Sequence, residues 1–146
     1  MAIGKGSSGV IDAADAHKHV FGYAVGIDLT RRDLQTAAKQ AGRPWDAAKG
    51  FDRSAPLSAI VRATHLDDTT QLTLRVNNEV RQEGTIDQMI WSVSEIIHKC
   101  SELFDLQPGD LIFTGTPAGV GSLVPGDAVH AHVVGSQWKV ELAFRV

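Results

Sequence analysis

The sequence predicts an α+β protein that is mainly β, on three observations. Apolar Leu72, Leu74 and Val76 alternate with polar neighbours over Gln71 to Glu83, the period of a half-buried strand. From Leu106 onward, short apolar runs are separated by the tight-turn sequences Pro108-Gly109-Asp110 and Pro125-Gly126-Asp127. Only two longer stretches, one after Thr30 and one after Ser92, carry the start signals and spacing of helices.

Taken in order, the opening MAIGKGSSGV is Gly/Ser-rich, a composition that by itself reads as a flexible tail. Asp12 to Val20 reads as a short helix with Asp12 as its N-cap and alanines behind it. The β-branched and aromatic run Phe21 to Ile27 reads as a strand. Thr30, with Asp33 three residues on, predicts an N-cap with its capping-box partner and a helix from about Arg31. Gly42 and Pro44 predict its stop, because Gly tolerates the left-handed C′ conformation and Pro cannot continue the ladder. Asp28, Arg32 and Gln35 then follow an i, i+4, i+7 spacing that points a carboxylate, a guanidinium and an amide the same way. Lys49 comes back to that neighbourhood on the following loop.

Further along, Ala55 to Ala63 reads as a strand opened by Pro56, a residue suited to a strand start or edge. Gln71 to Glu83 reads as a hairpin whose turn is Asn77-Asn78, two residues that accept positive φ. Ser92 and Glu95 form a second capping box, and Val93, Ile96, Ile97, Cys100, Leu103 and Phe104 give the stripe of an amphipathic helix facing the core. Leu111 to Thr114, Ala128 to Val134 and Trp138 to Val146 complete the strands.

At 146 residues the chain suits one domain with a real core. Its 14 Lys and Arg against 17 Asp and Glu give a net charge of -3, the wrong sign for a nucleic-acid binder. The single cysteine, Cys100, allows no intrachain disulfide and fits a reducing cytoplasm. No apolar run reaches the length of a membrane span, and Met1 to Gly9 has too little apolar sequence for a signal peptide.

Other polar clusters weigh less. His130 and His132 alternate onto one strand face, and His17 and His19 are spaced alike, but each pair lacks a third nearby ligand. Thr114-Gly115-Thr116-Pro117 with Gly119-Val120-Gly121 is a glycine-rich loop without the Gly-Lys-Ser/Thr of a phosphate-binding loop. Ser7-Ser8 lacks the elbow of a nucleophilic serine. A carboxylate, a guanidinium and an amide on one helix are, by composition alone, an ordinary solvated face.

What singles these residues out is resemblance. D-L-T-x-R-D-L-Q at Asp28 to Gln35, G-x-P-W at Gly42 to Trp45, A-K-G-F at Ala48 to Phe51, V-N-N-E-V-R-Q at Val76 to Gln82 and T-G-T-P-x-G-V-G at Thr114 to Gly121 occur in one order. Together with Pro125 to Asp127 they resemble the fumarylacetoacetate hydrolase family from about Ile3 to the C-terminus, most nearly its small acylpyruvate and fumarylpyruvate hydrolases. The resemblance implies a mixed β-sandwich roll with a few short helices, of that family's C-terminal domain type, with Ala2 to Lys5 as the tail of a strand. It implies cleavage of a carbon-carbon bond in a 2,4-dioxo acid with Mg²⁺, or Mn²⁺ or Ca²⁺, as cofactor. Asp28 becomes a metal ligand, and Arg32, Gln35, Lys49 and Thr116 contact a small 2-oxo acid, with Lys49 also catalytic through the charge on the departing enolate. All five are expected to line one pocket, and a homodimer is expected because relatives are commonly dimers.

The resemblance also carries a departure. The family's other two metal ligands, a Glu-x-Glu pair, and its His/Glu base precede the equivalent of Met1, so the sequence reads as one catalytic domain, 1–146, truncated at its N-terminus and close to inert alone. Alternatives are a non-catalytic binding or oligomerisation module, and an oxaloacetate decarboxylase or oxo-acid isomerase on the same fold.

Overall fold

The computed structural model describes residues 1–135 and 138–146. The described residues form strands β1 (Ala2–Ile3), β2 (Val20–Tyr23), β3 (Val61–Arg62), β4 (Gln71–Val76), β5 (Glu79–Thr85), β6 (Ala128–Val134) and β7 (Lys139–Arg145), with helices α1 (Arg32–Gln40), α2 (Asp46–Lys49) and α3 (Val93–Ser101). They fall into two compact units, Met1–Val25 with Ser58–Val146, and Gly26–Leu57.

The larger unit holds two sheets, ordered β1-β2-β3 and β5-β4-β6-β7, and every pairing between these strands is antiparallel. In the four-stranded sheet the register stacks Leu74, Ala131 and Leu142 in one row and Val76, Val129 and Phe144 in the next. Val76, Val129 and Ala131 are buried, so this is the sheet's inner face, while His130 and His132 lie on the other. The imidazoles stand 6.3 Å apart, and partial burial, then Lys139 and His130, lowers the pKa of His132. The expected hairpin is present: Asn77 (φ 51°) and Asn78 (φ 70°) make a two-residue turn between β4 and β5.

Around the smaller sheet, Ile3, Ile11, Ala16, Val20, Tyr23, Ile97 and Leu106 form the core. Helix α3 begins with the expected capping box, Ser92 Oγ accepting from Glu95 N–H at 3.2 Å and Glu95 Oε2 from Ser92 N–H at 2.7 Å. Donation to that carboxylate from the Ser92 N–H, and from the Ser92 hydroxyl at 2.8 Å, holds the Glu95 carboxyl below its usual range. Ile97 is fully buried, and the last turn grips the segment before β2: Ile11 N–H donates to Ser101 Oγ at 2.8 Å, and its carbonyl meets His98 Nδ1 at 2.7 Å. The stripe fails at its end, since Leu103 and Phe104 are 76% and 65% exposed. The helix stops at Ser101, and the following turn, in which both backbone N–H groups return to the Cys100 carbonyl, carries them off the core face.

Tyr23, the sequence's one tyrosine, is buried and stacks on Trp138 with ring centroids 6.5 Å apart. Burial disfavours its phenolate and pushes its pKa up to about 12. The folded pKa lies above that of the unfolded chain, about 10, so the resulting stability is complete below pH 10 and is lost as pH rises through 12. Absorbance near 295 nm should show no phenolate until close to pH 12, and a tyrosine ionising near pH 10 in the folded protein would contradict the packing.

Several sequence expectations are corrected. The helix placed over Asp12 to Val20 is a single 3₁₀ turn at Ala16–His19, and the Asp12 carboxylate caps a tighter turn by accepting from Ala14 N–H at 2.9 Å. The strand placed over Ala55 to Ala63 is only β3 plus a bridge at Leu57. Leu111 to Thr114 makes one bridge, Leu111 to Ala2, before leaving the sheet. No helix of the described residues is long and apolar enough to cross a membrane.

The smaller unit carries α1 and α2. Helix α1 ends as expected: Gly42 takes φ +61°, its N–H bonds to Lys39 O and that of Arg43 to Ala38 O, the paired closure of a Schellman motif. Its start differs. The helix begins at Arg32 with Arg31 as N-cap and no capping side chain, because the Thr30 hydroxyl is engaged elsewhere. The loop expected around Lys49 is the one-turn helix α2, with Ala48 and Lys49 N–H both bonding to Trp45 O.

Candidate functional site

Asp28 lies in extended chain, between Ile27 and Leu29, whose N–H groups donate to Pro56 and Ser54 carbonyls at 3.1 and 2.9 Å. Lys49, at the end of α2, is brought to it by a second tie: Arg31 N–H donates to Ala48 O at 3.0 Å, and Ala48 is buried. The Arg31 guanidinium covers the Phe51 ring at 4.4 Å, fixing the other end of the A-K-G-F segment. Lys49 Nζ thus sits 2.6 Å from Asp28 Oδ2 and 2.9 Å from Thr30 Oγ1. An ammonium has three donors, so these bonds leave one for a ligand.

Arg32 and Gln35 form a second group one turn apart on α1. Arg32 Nη1 donates to Gln35 Oε1 at 2.6 Å, which occupies the acceptor of the amide and leaves its NH₂ as the free end. The Thr36 hydroxyl is likewise spent, donating to Arg32 O at 2.8 Å. Both residues line a cleft of about 530 Å³ with Thr36, Lys39 and Gln40. Guanidinium, ammonium and amide NH₂ make its edge rich in donors and positive charge, which suits an anion such as a carboxylate.

The i, i+4, i+7 alignment of Asp28 with Arg32 and Gln35 is not formed. Asp28 precedes the first helical residue by four positions in non-helical chain, and its partner is Lys49. Thr116 belongs to the larger unit. There the loop after Leu111 turns at Gly115 (φ +108°) and Gly119 (φ +101°), and Thr116 is exposed. Gln82 Nε2 on β5 donates to Thr116 Oγ1 and to Pro117 O, both at 2.7 Å. A Cβ on Gly119 would overlap the Arg81 carbonyl oxygen, so the loop lies on β5 as closely as glycine allows.

Sequence reasoning missed Thr30 and Gln82. Thr30 carried a competing signal as an N-cap, and Gln82 stood in a quoted motif with no chemistry attached to it.

Asp28 is a hard oxygen donor of the kind a divalent cation takes. It is one ligand of a shell that needs about six, and among the described residues no group of three or more His, Cys, Asp or Glu is placed to hold a metal. The described residues therefore fit a metal through one donor and do not by themselves form a closed site.

Comparison with known proteins gives a consistent set. Residues 1–144 match the family model for the fumarylacetoacetate (FAA) hydrolase C-terminal domain. The chain is 43% identical over 136 residues to a fumarylpyruvate hydrolase from Ralstonia sp, covering 92% of this chain and 70% of that one. It is 42% identical over 146 residues to a mitochondrial oxaloacetate tautomerase from Rattus norvegicus, covering 97% and 66%. Among solved structures, fumarylpyruvate hydrolase from Pseudomonas aeruginosa in complex with Mn²⁺ and pyruvate superposes with a TM-score of 0.91 at 45% identity. This chain spans 61% of that structure's length, and its two antiparallel sheets with few helices are the shared fold.

Proposed function

Since this chain belongs to the fumarylacetoacetate hydrolase family, we propose that it acts on 2-oxo acids as a carbon-carbon hydrolase of the fumarylpyruvate or acylpyruvate type. The observation that carries the reading is Lys49, an ammonium held by Asp28 and Thr30 with one donor to spare, on the same unit as the donor-lined cleft of Arg32 and Gln35. Resemblance to a fumarylpyruvate hydrolase, and to a homologue whose structure holds Mn²⁺ and pyruvate, supports the substrate class.

In this scheme Arg32 and Gln35 hold the substrate carboxylate through N–H donors. Water adds to the distal ketone, the carbon-carbon bond breaks, and its electron pair passes to the pyruvate fragment as an enolate. Lys49 stabilises that enolate, which takes up a proton to become pyruvate, while the other fragment leaves as a carboxylic acid. A divalent cation, when bound, would polarise the keto oxygen, with Asp28 supplying one of its oxygen ligands. Mg²⁺, Mn²⁺ and Ca²⁺ all accept such a donor, and the Mn²⁺ homologue favours manganese as the first to test.

Oxaloacetate tautomerisation is a second reading, favoured by the rat relative. It needs the same enolate stabilisation and no bond cleavage. The two separate in one experiment with Mn²⁺ present and with EDTA as control: pyruvate release from acetylpyruvate and fumarylpyruvate, and enol-to-keto conversion of oxaloacetate. Metal-dependent pyruvate release is expected where the remaining metal ligands and the water-activating base that the family resemblance implies are supplied. Under that condition tautomerisation without release would establish the second reading, and inertness with no binding of Mn²⁺ and oxalate would remove both.

The reading includes a homodimer, supported by exposed Ile90 (96%), Leu103 and Phe104, apolar area that association can cover. Light scattering on the same sample should give twice the chain mass, and a monomer at high concentration would count against it.

A further inference from the structure

We propose that Lys39 determines specificity by binding a second carboxylate at the far end of the α1 cleft, so that the chain prefers a 2-oxo diacid of the fumarylpyruvate kind to an acylpyruvate ending in a methyl group. The inference rests on the reading of Arg32 and Gln35 as the pair that holds the first carboxylate.

The cleft is built by one helix within one unit. Arg32, Gln35, Thr36, Lys39 and Gln40 line it together, and steps of three and four residues keep them on a single helical face. Its two ends are donors and its middle is not. Arg32 and Gln35 present N–H groups at one end, and Lys39 and Gln40 present an ammonium and an amide two turns further on. Between them the Thr36 hydroxyl has given its proton to Arg32 O at 2.8 Å and keeps none for a ligand. A diacid with a hydrocarbon middle matches that sequence of groups, and a monoacid leaves the ammonium end unused.

Length and direction agree with this occupant. The helix rises about 10 Å from Arg32 to Lys39, and the carboxyl carbons of an extended fumarylpyruvate stand about 7 Å apart. The long side chains of Arg32 and Lys39 close the difference from both ends. Carbon 2 of a 2-oxo acid is trigonal, so its carboxylate, its keto oxygen and carbon 3 leave in three directions. With the carboxylate on Arg32 and Gln35 and the oxygen turned to Lys49, carbon 3 is the group left to run along α1.

Charge singles out Lys39. The unit Gly26–Leu57 carries six Lys and Arg against four Asp, whereas the rest of the chain carries eight against thirteen Asp and Glu, so an anion is drawn toward this unit. Within it Lys49 is held by Asp28, Arg32 is bonded to Gln35, and Arg31 lies over Phe51. Among the described residues Lys39 is the cation of this unit that lines the cleft and makes no ion pair or side-chain hydrogen bond of its own.

The test compares two stable ligands by calorimetric titration into the chain without added metal. 2-Oxopimelate is a 2-oxo diacid of fumarylpyruvate's length with no second keto group to cleave, and 2-oxoheptanoate is the same chain ending in a methyl group. The unsubstituted protein is expected to bind 2-oxopimelate about fivefold more tightly, the upper end for an ion pair open to solvent. Added NaCl should shrink the preference by screening. Lys39→Met should remove it while leaving the affinity for 2-oxoheptanoate unchanged, and Lys39→Arg should keep it. Lys39→Glu should reverse it by repelling the second carboxylate. Lys39→Gln serves as the second neutral variant should Lys39→Met fail to fold.

Equal affinities for the two acids in the unsubstituted protein would overturn the proposal and leave the oxo acid reading standing, since both would still bind. A preference that survives Lys39→Met would overturn it as well. So would a loss that falls equally on both acids, which would make Lys39 a support of α1 and nothing more. Absence of binding of both acids and of oxalate by the unsubstituted protein would remove the oxo acid reading and this proposal together.

Discussion

Replacing Lys49 with methionine is expected to lower kcat by about 10² to 10³-fold while leaving KM within a few-fold, the signature of an interaction made chiefly in the transition state. The ammonium is held before substrate arrives. Asp28 Oδ2 and Thr30 Oγ1 fix its position at 2.6 and 2.9 Å, and the buried Ala48 next to it anchors the turn of α2 that carries it. Such a charge costs no reorganisation when the enolate forms, which is why its loss should appear in kcat. Stability should hardly change, because the Lys49 side chain is 33% exposed and its carboxylate partner 57%, and ion pairs of that exposure are worth about 0–1 kcal/mol. Lys49→Arg should not restore the rate, since a planar guanidinium cannot occupy a position defined by two acceptors around a compact ammonium. Steady-state kinetics on a folded Lys49→Met protein decides the matter. If kcat stays within threefold of the native value, the enolate charge is stabilised by something else and the reading of α2 is wrong.

How much of this was legible in the sequence depended on whether a signal was local. The Asn77-Asn78 turn and the Ser92-Glu95 box are four-residue devices that need nothing from the rest of the chain, and both are present as read. Gly42 likewise stops α1 by its own backbone freedom. The failures share a different cause. Thr30 has the composition of an N-cap, yet its hydroxyl is taken by Lys49, nineteen residues away, and the helix starts uncapped four residues after Asp28. Leu103 and Phe104 continue a helical period past the point where the helix ends, so the period predicted burial the chain does not give them. Gln82 could be placed on a strand from sequence, but nothing local says that its amide reaches a loop thirty-four residues on. The motif resemblance selected Asp28, Arg32, Gln35, Lys49 and Thr116. It gave no account of their pairing, and the pairs are what assign donors and acceptors.

Converting Asp28 to asparagine is expected to weaken Mn²⁺ binding by about 100-fold or more and to abolish metal-dependent turnover. Partners one shell removed from a metal already cost 10 to 100-fold when lost, so a direct ligand should cost at least the upper end of that range. Asparagine keeps the size of the side chain and a neutral oxygen, so the loss would report the carboxylate charge. The substitution also frees Lys49, whose ammonium shares Oδ2 in the absence of metal. Oxalate affinity measured without metal should therefore hold or rise slightly in the variant, since an unpaired cation is left to meet the dianion. Metal-free and metal-dependent binding thus move in opposite directions, a pattern that general unfolding of the unit Gly26–Leu57 cannot produce, because unfolding would lower both. Calorimetric titration of Mn²⁺, then of oxalate with and without Mn²⁺, reads both arms. Native Mn²⁺ affinity in Asp28→Asn would show that Asp28 serves only to hold Lys49, and the metal would have to be sought on other ligands.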